Sequence, residues 1–151
     1  MFRIKHLSKY VTISRIVFLV ITLTLSACAT KLISSYDEAT DKAVTALQKK
    51  TEEHLLSLEA VEGLPECQYK NYKKFYVEAK VDVSAINIRA AAIPKNEITT
   101  EQTVLLSKSL ESLESLHKID CLSKDQISTL RLQFNSSFTA ILKLELAKRR
   151  G

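Results

Sequence analysis

The chain has no tryptophan, one methionine, two prolines and two glycines in 151 residues. Of the glycines only Gly63 lies inside the chain; the other is the last residue, Gly151. Sandwiches and barrels need a turn every eight to twelve residues, and turns draw on Gly, Pro, Asn and Asp. Two prolines (Pro65, Pro94) and one internal glycine exclude that class and leave few, long helices. A phosphate-cradling loop needs several glycines, so a P-loop or dinucleotide fingerprint is excluded too. Only three cysteines (Cys28, Cys67, Cys121) are present, with no C-x-x-C spacing and no nearby His, so no zinc site is expected.

The first fifteen residues lack any carboxylate but carry Arg3, Lys5, His6, Lys9 and Arg15. An apolar run follows, interrupted only by two threonines, from Ile16 to Leu25, then the small residues Ser26 and Ala27. A basic start, a short apolar core and a small-residue cleavage site are the parts of an export signal. A membrane span needs about 20 apolar residues, and Arg15 and Lys31 bracket too short a run for one.

Leu25-Ser26-Ala27-Cys28 resembles the lipobox of bacterial lipoproteins: aliphatic, small, small, Cys. The resemblance covers the first 28 residues. It implies that the Cys28 thiol takes up diacylglycerol, that the chain is cut before Cys28, and that the new amino terminus is often acylated as well. Two or three palmitate-type chains anchor stably where one binds only marginally. Ala29 follows the cysteine where Asp would mark inner-membrane retention, so the resemblance implies the outer membrane, facing the periplasm, if the host is Gram-negative.

Residues 1–27 are then signal, 28–34 a short anchored tether and 35–151 the domain. Loss of Arg3, Lys5, Lys9 and Arg15 leaves eighteen Lys and Arg against seventeen Asp and Glu, a net charge of +1 in place of +5. The high pI belongs to the signal, and charge gives no reason to expect nucleic acid as a partner.

Four amphipathic helices are expected, over 35–62, 66–93, 99–117 and 123–149. In the first, Tyr36, Thr40, Val44, Leu47, Thr51, Leu55 and Leu58 step by three or four, after a Ser35-x-x-Glu38 capping box. Gly63 and Pro65 stop it. The second carries an uninterrupted seam of Tyr69, Tyr72, Tyr76, Ala79, Val83, Ile86, Ala90 and Ile93. Thr99-x-x-Gln102 should cap a shorter third helix, reached by a seven-residue extended link. Ser123-x-x-Gln126 should cap the fourth, whose Leu132, Leu142 and Leu146 widen its apolar arc and point to the most enclosed helix, the alternative being a flank that meets a partner. Short connections make the simplest topology an antiparallel up-down-up-down bundle.

With Cys28 committed to lipid, Cys67 and Cys121 are an even pair in an oxidising compartment. Cys67 opens helix two and Cys121 precedes helix four, which places both at one end of such a bundle. A disulfide there would add about 4 kcal/mol in the chain-entropy model; the alternative is two separate buried thiols.

Chemistry-bearing patterns are sparse. His54 and His117 sit in no ligand spacing and read as packing residues near a seam. Ser115-x-x-Lys118 matches a serine-acylation pattern without its companion motifs. Glu111 and Glu114 read as solvated surface, and the tyrosines as core rather than as a ligand box. The expectation is a non-enzymatic interaction or assembly module of the cell envelope, with no cofactor, held to membrane lipid through acylated Cys28 and meeting an envelope protein. A pilotin-like chaperone for an envelope component is the alternative, and a cell-wall or lipid ligand binder or hydrolase the alternative from another class. An even helix count would put Lys148, Arg149 and Arg150 beside the anchor, facing headgroups. The loops around 63–66 and 118–122 would then form the membrane-distal tip.

Overall fold

The computed structural model describes residues 33–150, so Cys28, its lipobox and the signal lie outside the described residues. Four α-helices follow one another: α1 (Glu38–Ala60), α2 (Lys73–Ala92), α3 (Glu97–Ile119) and α4 (Lys124–Lys148), with two 3-10 turns, Pro65–Cys67 and Tyr69–Asn71, before α2. Each helix packs against its neighbour in sequence, and α1 closes on α4, so the four form an antiparallel ring around one core. The seams expected from spacing line that core, including Val44, Leu47, Leu55 and Leu58 of α1 and Tyr76, Ala79, Val83 and Ile86 of α2. Leu106, Leu110 and Leu113 of α3 and Ile127, Phe134, Phe138 and Ile141 of α4 complete it. No described helix is long and apolar enough to cross a membrane.

The helix ends depart from expectation in three places. α1 begins three residues later than 35, because Asp37 rather than Ser35 is its N-cap. The Asp37 carboxylate accepts from Thr40 N–H (3.0 Å) and from Thr40 Oγ1 (2.6 Å), while the Arg89 guanidinium donates to both of its oxygens. Glu38, expected to complete a capping box, pairs with Lys42 at 2.7 Å. Two charge-assisted partners outweigh a hydroxyl.

α2 begins at Lys73 instead of 66. Gln68 is extended (φ −66°, ψ 139°), and Asn71 Nδ2 donates to the Glu66 carbonyl at 2.9 Å. A local side-chain bond of this kind competes with helix formation, so the chain runs through two short turns first. α3 begins two residues earlier than 99 and runs two beyond 117, matching α1 at 23 residues. The α2–α3 link is not a seven-residue extension but a tight turn of Ile93–Asn96. Lys95 takes φ +61°, and Asn96 Nδ2 ties back to the Ala90 carbonyl (2.9 Å). Thr99, expected as a cap, is fully buried inside α3.

The α4 start follows expectation. Ser123 Oγ accepts from Gln126 N–H, and Gln126 Oε1 accepts from Ser123 N–H. Gly63 takes φ +74°, the left-handed conformation that a glycine adopts at no steric cost. α4 is not enclosed on every side: Leu132 is 71% exposed, and Leu146 is exposed as well.

Candidate interaction surface at the cross-braced end

The ring has two ends of different chemistry. At one lie the α1 start, the α2–α3 turn and the α4 finish. There Lys148 Nζ donates to Glu145 Oε1 and Asn96 Oδ1, each at 2.5 Å, and to Thr99 Oγ1 at 2.8 Å. Glu145 accepts in turn from Thr99 Oγ1 (3.1 Å) and from Asp37 N–H (3.2 Å). Ser34 Oγ donates to Asn96 Oδ1, and Ser34 N–H to the Lys95 carbonyl, both at 2.9 Å. Ser34, assigned to the tether by sequence, is thus buried and clamped to the bundle. Lys148 is buried too, so of the three tail cations expected at the surface only Arg149 and Arg150 are exposed. Arg149 lies 5.5 Å over the Tyr36 ring.

At the other end Cys67 and Cys121 form a disulfide across 54 residues, with Cα atoms 5.5 Å apart. The bridge joins the first 3-10 turn to the α3–α4 loop. A network missed in the sequence supports it from below. His117 Nε2–H donates to the Cys67 carbonyl at 2.6 Å, which leaves Nδ1 to accept from Tyr76 O–H (2.6 Å). His54 Nε2 lies 3.2 Å from the Tyr76 oxygen, as its remaining donor, and the His54 ring stacks on Phe75 with centroids 3.6 Å apart. Both histidines and Tyr76 are buried. Burial, with His117 alongside, pushes the His54 pKa down to about 3, and burial raises that of Tyr76. The helical spacing of His54, Tyr76 and His117 was visible, but each lies on a different helix, so their meeting was not.

Glu114, expected as solvated surface, is buried beneath Lys80 (2.6 Å), Lys118 (3.0 Å) and the Tyr69 hydroxyl (2.7 Å). Burial alone would raise its carboxyl, but hydrogen bonds from Lys80, Tyr69 and Lys118 outweigh it and hold the pKa at about 2. Glu111 does stay exposed. Lys118 is therefore committed to Glu114, while the Ser115 hydroxyl donates to the Glu111 carbonyl (2.8 Å); the two do not form a nucleophile–base pair. Among the described residues no group of three or more His, Cys, Asp or Glu is placed to hold a metal ion.

Two clefts flank the bridge. One of about 500 Å³ is lined by Leu64, Pro65 and Leu122 with Glu62 and Asp120. The other, about 270 Å³, is lined by Tyr69, His117 and Ile119 with Lys70 and Lys118. Each holds one large apolar side chain that faces water: Leu64 at 51% and Ile119 at 82% exposure, the latter the most exposed large apolar residue among those described. A rigid, braced surface with exposed apolar side chains suits recognition of a partner, because little order is lost on binding. Comparison with protein-family models, curated proteins and solved structures returned no match.

Proposed function

We propose that this chain is a lipoprotein, held by acylated Cys28 to the periplasmic face of the outer membrane, and that its bundle is a non-enzymatic interaction or assembly module. The observation that carries the reading is polarity. The chain enters the bundle at one end, where Ser34 is clamped, and the braced, apolar-edged clefts occupy the other. Six peptide units link Cys28 to Ser34, a reach of at most about 20 Å, so an anchor at Cys28 holds the clamped end near the lipid. A helix of 23 residues carries the opposite end about 35 Å outward. The His54, Tyr76 and His117 side chains are spent on one another and on the Cys67 carbonyl.

The test is photo-crosslinking in the native envelope, with a photoreactive residue at Ile119 or, for comparison, at Val81 on the exposed face of α2. The reading expects a defined protein adduct from position 119, none from 81, and its loss in Cys28→Ser. Equal adducts from both positions would sink it, as would an intact Cys28 thiol in the mass of the purified protein.

A further inference from the structure

We infer that the partner meets this end through an extended peptide segment of mixed charge, with apolar residues in its middle, a basic residue at one end and an acidic residue at the other. The inference rests on the proposed role of the tip and adds the chemistry of what binds there. The two clefts are not separate sites: Gln68, Asp120 and Cys121 line both and Cys67 lines the larger, so the disulfide lies along the ridge between two halves of one surface. The halves differ in charge. The charged residues lining the larger one are both acids, Glu62 and Asp120, and Lys70 and Lys118 outnumber Asp120 in the smaller.

Internal pairing does not erase the difference. Glu62 Oε1 accepts from the Lys124 backbone N–H at 2.7 Å, while Lys124 Nζ stays 3.9 Å from the other oxygen. Asp120 spends one oxygen on the Cys121 N–H. Lys118 is held by Glu114, but exposed Lys70 makes no ion pair among the described residues. Leu64 and Pro65 on one side, and Tyr69 and Ile119 on the other, supply apolar contacts for a segment crossing the ridge. A uniformly acidic or basic ligand meets its own sign in one half, and like charges in contact oppose binding. A segment charged oppositely at its ends satisfies both.

The experiment selects random dodecapeptides by phage display on the full lipidated chain in detergent micelles and maps the bound peptides by crosslinking. The expected clones place apolar residues between an acidic and a basic end and crosslink around 64 and 119. Selection on Lys70→Glu should deplete the acidic end at least tenfold. Selection on Glu62→Gln, which keeps the acceptor for Lys124, should deplete the basic end. Matching circular-dichroism unfolding curves establish that both variants fold. Peptides that crosslink at the tip without charge polarity, or whose charges ignore both substitutions, overturn this inference and leave the tip as the contact surface. Peptides that map elsewhere, or no enrichment at all, overturn both.

Discussion

Lys148 and Glu145 form an ion pair inside the bundle, with side chains 7% and 0% exposed. Removing one partner of such a pair leaves a buried charge uncompensated, at a cost of about 3–5 kcal/mol, whereas replacing both by apolar groups is often near neutral. Lys148→Met should therefore destabilise the bundle by about that amount, and Lys148→Met with Glu145→Leu should recover most of the loss; urea unfolding of the single and double variants measures both. The amphipathic pattern read Lys148 as tail, because a lysine in the last turn of a helix, followed by Arg149 and Arg150, is ordinarily solvated. Its burial follows from Asn96 and Thr99, which lie about fifty positions away.

His54 carries the second prediction at this scale. Its folded pKa lies near 3, below the 6.5 of an ordinary histidine, so between those values the unfolded chain binds a proton that the native ring refuses. Its contribution to stability is complete above about pH 6.5 and is lost as pH falls toward 3, at roughly 1.4 kcal/mol per unit where steepest. Glu114, held near 2, has the same sign at lower pH: its stabilisation is present above the ordinary carboxylate value and lost as pH falls from there toward 2. His54→Phe, which keeps the stack on Phe75, should flatten the fall in urea midpoint between about pH 6 and 3 and leave the share that Glu114 carries toward pH 2.

Among the elements, the buried faces of all four helices were legible, because a 3.6-residue period is a local property of the chain. The ends were legible only where the cap is local too. Ser123 and Gln126 are three apart and behave as expected. Asp37 displaces Ser35 by recruiting Arg89 from another helix, and α2 loses its first turns where Asn71 and the bridge of Cys67 hold the backbone. The disulfide is the element-scale device. Closing a loop of 54 residues removes denatured-state entropy worth about 4 kcal/mol. Cys67→Ala with Cys121→Ala should lower stability by about that much in urea unfolding while helical circular dichroism in native buffer stays unchanged. Amide exchange should quicken around 64–68 and 119–122 and stay slow in the middle of α1. An unchanged exchange pattern would mean that His117 and Tyr76 hold the end without the bridge.

For the whole molecule, the polarity of the bundle gives a depth prediction, and the absence of tryptophan makes it clean to read. Ile98 is exposed at the clamped end and Leu64 at the braced end, so Ile98→Trp or Leu64→Trp supplies the sole indole. In proteoliposomes of the lipidated chain, headgroup-region quencher lipids should dim the indole of Ile98→Trp at least several-fold more than that of Leu64→Trp. Equal quenching would mean that the bundle lies flat on the lipid rather than standing on one end.

Sequence alone determined the helical class, the number of helices and the buried seams, and placed the two cysteines at one end, because periodicity, turn scarcity and helix order need no knowledge of distant contacts; the structure decided that they form a bridge rather than two separate thiols. Sequence also supplied the resemblance to an export signal and a lipobox on which the proposed location rests. Tertiary structure decided which polar groups are buried. Glu114 and Lys148 read as surface from their places in amphipathic helices, and both are buried by partners from elsewhere in the ring; Glu145, His54 and His117 lie near the seams, but the partners that satisfy them come from other helices. Tertiary structure likewise built the two-sided cleft surface, since its halves come from the α1–α2 connection and the α3–α4 loop, brought together only when the ring closes and Cys67 meets Cys121. Solvent access is set by what packs against a residue, and in this fold the groups that bury these side chains lie from 22 to more than 50 residues away along the chain.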